Sequence, residues 1–195
     1  MPDPEVYPAP HRFSIEDYLA MGRAGILSGK DRVEFIDGQV VEMSPIADWH
    51  IKSVRRLGHL LRGQLPSSVV IDAQNALDVG QHTQVVPDLM VLPEASLSWE
   101  WPVAGHECLL LIEVADSSLE ADRTTKSATY AAAEVPEYWI VDLAGRAVEV
   151  YRDPSAGRYA SRTVYGAGAV ISAVLVPGLA VPVADVVPPK AEASI

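Results

Sequence analysis

Apolar residues recur along this chain with two periods, and each change of period marks the edge of an element. Residues 1–12 carry prolines at 2, 4, 8 and 10 and predict an extended or disordered arm. Ser14 then caps a short helix, SIEDYLAMG, with Asp17 three residues on as a variant of the capping box. GRAGILSGKD is turn-like, and RVEFIDGQVVEM (residues 32–43) predicts a hairpin about Asp37-Gly38. From Trp49 to Leu65 the period becomes helical. At about 100° per residue, Ile51, Val54, Leu57, Leu61 and Leu65 share an arc with His50. Lys52, Arg55, Arg56, His59 and Arg62 lie on the opposite arc.

Strands are predicted around Val69–Ile71 and over Val85–Leu92. Cys108–Val114 is an apolar run interrupted only by the carboxylate of Glu113 near its end, which suits a central strand buried on both faces. Residues 122–134 are Ala-rich and predict a helix, with Pro136 at its exit. Tyr138–Asp142 is the next strand, so strand, helix and strand form a βαβ crossover. Residues 147–151 and 159–165 predict a hairpin about DPSAGR. The Pro- and Val-rich stretch after Ala173 leads to a frayed end. One domain is expected over 13–184, followed by a tail at 185–195, and there is no internal repeat.

Composition changes this picture in three ways. With 195 residues, 49% of them hydrophobic, the chain can bury one sizeable core. No apolar run approaches membrane-spanning length, and MPDPEVYPAPHRF has no basic start followed by an apolar stretch, so a cytoplasmic protein without a membrane partner is expected. Cys108 is the single cysteine, which excludes an internal disulfide and a multi-thiolate zinc site. Beside LLLI it reads as a small buried hydrophobe. The net charge of −11 argues against a broad nucleic-acid-binding surface, but binding depends on a local patch. The arc of Lys52, Arg55, Arg56 and Arg62 is such a patch, with no acid between Trp49 and Ile71. It has two readings, a track for a phosphate backbone and an ordinary solvated helix face.

The candidate chemistry sits on two acids and an amine. Glu113 closes a strand expected to be buried, where a carboxylate needs a partner. Asp88 follows Pro87 beside another apolar segment. Two such acids repel unless a hard divalent cation joins them, and magnesium takes one or two carboxylates plus water. Lys126, on the helix after Glu113, shares a face with Tyr130 and would reach the acids if that helix packs back on the sheet. Plainer readings stand beside these. Asp122 and Lys126 at i,i+4 form a helix ion pair, Glu113 accepts backbone hydrogen bonds, and Asp88 caps a turn. His50, turned inward, is either a satisfied core residue or a group that serves the acids. GRAGILSGK lacks the strand and Ser/Thr of a phosphate loop, and His106-Glu107 lacks the second histidine of a zinc-protease motif. Tyr138, Trp139 and Tyr151 read as core.

In order, RVEFIDGQVVEMSP, His50, VVPDLMVLP, LLLIEVADSS, DRTTKSATYAAAEVPEYWIVD, VEVYRD and VPGLAV resemble the Uma-two family of restriction-endonuclease-like proteins, within the PD-(D/E)XK nuclease superfamily. The resemblance spans about residues 12 to 182. It implies an α/β fold: a restriction-endonuclease-like core with a mixed central β-sheet flanked by helices, plus β-hairpins. It makes Asp88 the motif aspartate and Glu113 the second acid. The superfamily's lysine two residues after that acid is Ala115 here, and the resemblance transfers its role to Lys126. Glu134 stands where the family has glycine, a change expected at a helix C-cap. Glu34 and His50 also match, Glu34 either as a further ligand for metal or water or as a hairpin residue.

The expectation is therefore a magnesium- or manganese-dependent endonuclease. Asp88, Glu113 and the Val114 carbonyl would hold the metal. Lys126 would orient or deprotonate the attacking water, and His50 and Glu34 would assist. DNA as substrate and a homodimer follow by family analogy. Two alternatives stay open: a non-catalytic nucleic-acid-binding or assembly module on the nuclease fold, and a protein-interaction subunit.

Overall fold

A computed structural model describes residues 10–28, 30–43, 47–100 and 102–189. The first nine residues of the expected arm, the Ser44-Pro45 turn and residues 190–195 of the expected tail lie outside them. In chain order the elements are α1 (Ile15–Arg23), β1 (Val33–Ile36), β2 (Gln39–Glu42), α2 (Asp48–Gln64), β3 (Val69–Asp72), β4 (Leu77–Asp78), β5 (Gln84–Val85), β6 (Leu89–Pro93), β7 (Val103–Ala104) and β8 (Leu110–Ala115). A helical crossover follows: α3 (Leu119–Ala121), a π-helical turn (Asp122–Lys126) and α4 (Ser127–Ala132). Then come β9 (Glu137–Asp142), β10 (Ala147–Ser155), β11 (Arg158–Gly166), β12 (Val170–Ile171), β13 (Val181–Pro182) and α5 (Val183–Val186).

The apolar run at β8 becomes the axis of a six-stranded mixed sheet, ordered β11-β10-β9-β8-β6-β3, and every residue of β8 is buried. Only β8 and β9 run parallel in it, and the helical crossover joins them, as the βαβ pattern predicts. Alternation sends Leu110, Ile112 and Val114 to one face, where Leu57 and Leu61 of α2 pack. Leu111 and Ala115 face the other side with Met90, Tyr130 and Tyr138. Glu113 falls on that second face. Each large apolar side chain buried this way contributes about 1.5–3 kcal/mol, which fixes the register of the strand that carries the acid.

A second sheet, β2-β1-β5-β4-β7, is built mostly from two-residue strands. Its hairpin turns at Asp37 and Gly38, both at positive φ (51° and 74°). The glycine is required twice over, because a Cβ there would also meet the Cβ of Arg12 at 2.7 Å.

Several expectations shift. The run Val85–Leu92 is not one strand: it divides into β5 of one sheet and β6 of the other. Pro87, between them, has no N–H for a ladder, and the chain changes sheets there. The helix begins at Leu119 rather than 122 and contains the π turn. The second hairpin turns at Ala156-Gly157 rather than across DPSAGR, so its strands are longer. Of the arc expected to face inward on α2, Leu57 and Leu61 are buried but Ile51 is 44% exposed, and Ser53 and Gly58, outside that arc, are buried as well. The packed chain also passes the expected boundary at 184, since Val186 and Val187 are fully buried. Among the described residues no helix is long and apolar enough to cross a membrane.

Candidate active site

Asp88 sits where the chain leaves one sheet for the other, and Glu113 sits on the strand that pairs with β6. Both side chains reach one cavity of about 610 Å³. The hairpin supplies one wall through Glu34, Ile36 and Val41, and the crossover supplies another through Ser118, Asp122 and Lys126. His50 enters from the first turn of α2. The structure therefore brings together all five residues singled out in the sequence: Glu34, His50, Asp88, Glu113 and Lys126.

Backbone and side chains lock the acids to each other. Asp88 Oδ2 accepts from the Val114 N–H at 2.8 Å, and the Asp88 N–H donates to Glu113 Oε2 at 3.3 Å. Glu113 Oε1 accepts from Tyr130 Oη at 2.6 Å and from Lys126 Nζ at 3.0 Å. Lys126 Nζ also lies 3.1 Å from Glu34 Oε1 and 3.9 Å from Asp122 Oδ1. One ammonium thus ties the hairpin, the central strand and the crossover. The crossover is held from behind by Arg123, whose Nε donates to Glu149 Oε1 at 2.9 Å and whose Nη2 lies 3.5 Å from Asp142 Oδ2.

The electrostatics follow from burial. Glu34, Asp88, Glu113 and Asp122 are 6%, 8%, 4% and 1% exposed. Burial pushes the Glu113 carboxyl up; Lys126 pulls it back, and Asp88, Asp122 and Glu34 raise it further. Burial also raises Asp122, against the pull of Lys126 and its bond from Ser118. Burial alone would lower Lys126, but Glu113, Glu34 and Asp122 outweigh it and hold the ammonium charged above the usual lysine range. Burial keeps Tyr130 well above the ordinary tyrosine range and therefore a donor.

His50 turns inward as expected. Its Nδ1 donates to the Val114 carbonyl at 2.9 Å, and its Nε2 lies 3.0 Å from Asp88 Oδ1, off hydrogen-bond alignment. The Asp88 carboxylate raises the imidazole pKa, burial opposes it, and the Val114 carbonyl and Glu113 add to the rise. Oxygens near both ring nitrogens shift the ring toward the imidazolium.

Among the described residues no three Asp, Glu, His or Cys side chains are arranged to hold a metal. The donors present nevertheless suit a hard cation held by two carboxylates and water. Four carboxylates face two cations, Lys126 and His50, so two negative charges stay unbalanced when all are ionised, the charge of one divalent ion. The Val114 carbonyl keeps a lone pair beside its bond to His50.

Two members of this site, Asp122 and Tyr130, carry little signal of their own in the sequence. Asp122 and Lys126 do approach as an i,i+4 pair, but both point into the cavity. In the sequence Tyr130 only shares a helix face with Lys126. The i,i+4,i+8 spacing of 122, 126 and 130 was the available signal. Lys52, Arg55, Arg56 and Arg62 are exposed, and none of them lines the cavity. Cys108 is buried against Met90, and burial pushes its thiol up to about 12, so it is inert.

A mixed sheet crossed by one helix, with this hairpin beside it, is an architecture that has been solved before. A putative nuclease belonging to DUF820 from Anabaena variabilis superposes with a TM-score of 0.72 at 15% identity, covering 89% of this chain and 97% of that one. The fold is thus nuclease-like. The chain belongs to the Uma2 family, described as "Putative restriction endonuclease", whose pattern matches residues 15–184. No curated protein matches it.

Proposed function

We propose that this protein is a divalent-metal-dependent nuclease that hydrolyses phosphodiester bonds, with DNA the substrate by family analogy. The observation that supports the reading is the meeting of Asp88, Glu113 and Lys126 in one cavity, where Glu113 accepts from the Asp88 backbone N–H at 3.3 Å and from the Lys126 ammonium at 3.0 Å. Asp88, Glu113 and the Val114 carbonyl would hold magnesium or manganese. When bound, the ion supplies Lewis-acid chemistry, acidifying a water molecule and offsetting charge on the phosphate. Lys126 is held protonated, so it acts as a donor that orients the nucleophile and balances charge, not as the base that the sequence left open. Tyr130 and Glu34 position Glu113 and Lys126. His50, as imidazolium, fixes Asp88 and the Val114 carbonyl and can give a proton to a leaving alkoxide.

The test is cleavage of nucleic acid with magnesium or manganese against chelator, in wild type and in Asp88→Asn, Glu113→Gln and Lys126→Met. Loss of activity in all three supports the assignment. Cleavage indifferent to all three, or no cleavage of any substrate with either metal, sinks it. A second reading, a non-catalytic module on the same fold, is favoured by one observation: the acids' oxygens already have protein cations as partners. Calorimetric titration with magnesium, wild type against Glu113→Ala, separates the two, because only the nuclease reading requires binding that Glu113→Ala removes.

A further inference from the structure

The turn that aims Asp122 and Lys126 into the cavity sends Arg123 away from it, toward the sheet. We propose that Arg123 is a positioning residue: anchored on Glu149, it holds the π-helical turn in the register that brings Lys126 to Glu113. Its effect on cleavage rests on the nuclease reading above; its effect on the placement of Lys126 does not.

The π turn spans Asp122–Lys126. Such turns are rare within helices and recur at functional sites, where the surrounding structure has to hold them. Two contacts from the sheet hold this one. The Asp122 carbonyl, which accepts from the Ser127 N–H five residues on, also accepts from Tyr138 Oη of β9 at 3.3 Å. Arg123 Nε and Nη2 both bond Glu149 Oε1 of β10, the Nε at 2.9 Å, and Nη2 lies 3.5 Å from Asp142 Oδ2 of β9. The turn is thereby fixed to the two strands next to β8 on that side of the sheet. The anchor also stays charged. Burial would raise the Glu149 carboxyl, but bonds from Arg123, Tyr151 and Arg162 outweigh it and hold it below the usual glutamate range.

Glu149 has a second arginine, and that separates positioning from stability. Arg162 Nε on β11 donates to Glu149 Oε2 at 3.0 Å, and Tyr151 Oη donates to the same oxygen at 2.8 Å. Removing Arg123 therefore leaves Glu149 with partners and does not strand a bare buried charge. Arg162 makes the same kind of pair with the same acid, but from an edge strand that lines no part of the cavity. Loss of either arginine weakens the same cluster, and only loss of Arg123 frees the turn. A freed turn relaxes toward regular α-helix, which rotates Lys126 off Glu113.

The experiment measures melting temperature in chelator for Lys126→Met placed in the wild type, in Arg123→Gln and in Arg162→Gln. The drop caused by Lys126→Met should shrink to about half or less in Arg123→Gln and keep its size in Arg162→Gln. Direct repulsion between Arg123 and Lys126 has the opposite sign, because relieving it makes Lys126 worth more and the drop larger. A drop in Arg123→Gln as large as in the wild type, or one that shrinks equally in Arg162→Gln, overturns the inference whether or not the protein cleaves nucleic acid. Arg123→Lys, a point charge that cannot span Glu149 and Asp142 together, should lie between, and it carries the comparison if Arg123→Gln does not fold. In magnesium, Arg123→Gln should lower kcat at least about tenfold with KM changed less than about twofold, since Arg123 acts through Lys126, while Arg162→Gln leaves both unchanged. A wild type that cleaves nothing removes the nuclease reading and leaves the melting comparison to decide this one.

Discussion

Replacing Lys126 with methionine keeps the apolar stem and deletes the charge that three elements share. In the wild type that ammonium lies 3.0 Å from Glu113, 3.1 Å from Glu34 and 3.9 Å from Asp122, and its side chain is 12% exposed. Removing one partner of a buried ion pair costs about 3–5 kcal/mol, because the remaining charges stay buried without compensation. Protonation of a carboxyl limits this loss, so about 3 kcal/mol is expected near neutral pH. For a domain of this size that lowers the melting temperature by roughly 6–12 °C in chelator. The pH dependence follows from the same geometry. Burial already raises Glu113 above the usual range of about 4.3, and Lys126 is what pulls it back. Without Lys126 the folded state holds that proton more tightly than the unfolded chain does. Stability then falls more steeply as pH rises from the ordinary glutamate range through the raised folded value. Thermal melts in chelator across pH 5 to 9 measure both effects. Magnesium should recover part of the deficit by supplying the missing counter-charge. Equal melting temperatures and equal pH slopes for variant and wild type would refute this account of how the acids are held.

Three further outcomes follow from single contacts. Tyr130→Phe removes a 2.6 Å bond to Glu113 from a fully buried hydroxyl and should cost about 2 kcal/mol in urea unfolding, with catalytic loss greater than that of a buried tyrosine outside the site; an unchanged midpoint and rate refute it. Glu134 occupies a helix C-terminus at φ 59°, with the Val135 N–H bonded to the Tyr130 carbonyl and the Glu134 N–H to that of Ala131, so Glu134→Gly should raise stability by about 1 kcal/mol; a destabilised variant refutes it. The raised pKa of His50 gives a stabilisation that is complete below the ordinary histidine value of about 6.5 and is lost as pH climbs through the folded one. The gap between wild type and His50→Gln should therefore close on going from about pH 6 to 9 in chelator; a constant gap excludes the imidazolium.

Where periodicity and turn chemistry agree, the sequence was legible. The Ser14 capping box forms in full, and Asp37-Gly38 adopts the two positive φ angles of its turn. The run at Cys108–Val114 is the central strand, and the chain after it crosses over to a parallel neighbour. Three features had no local signature. An apolar run with one proline gives no sign of which sheet each half joins, so β5 and β6 read as one strand. Outside its hairpin, the second sheet is assembled from pairs of residues too short to show alternation. The stretch from Val176 to Val187 has no period, yet Val176, Leu179, Val181, Val183, Val186 and Val187 complete the core. In the site, Asp88 and Glu113 stood out because charge beside a buried strand needs a partner. Tyr130 did not, because only the packed crossover brings its hydroxyl to Glu113.

The displaced lysine also has a geometric explanation. Ala115, two residues beyond Glu113, shares its face of the sheet and is fully buried in the core, with its carbonyl bonded to the Leu143 N–H. A cation for Glu113 must then come from the layer above, which is the crossover. In a regular α-helix, residues four apart drift around the axis by about 40° at each step, so a row at i, i+4 and i+8 turns away from a fixed point. Asp122, Lys126 and Tyr130 form such a row, yet Asp122 and Lys126 line the cavity and Lys126 and Tyr130 both bond Glu113 Oε1. The π-helical turn at Asp122–Lys126 accounts for this, since a wider turn takes back part of the drift and keeps the row aimed at one place. The glutamate on the strand, the lysine on the helix and the wide turn between them are thus parts of a single arrangement, and straightening that turn would separate Lys126 from Glu113 even with every side chain unchanged.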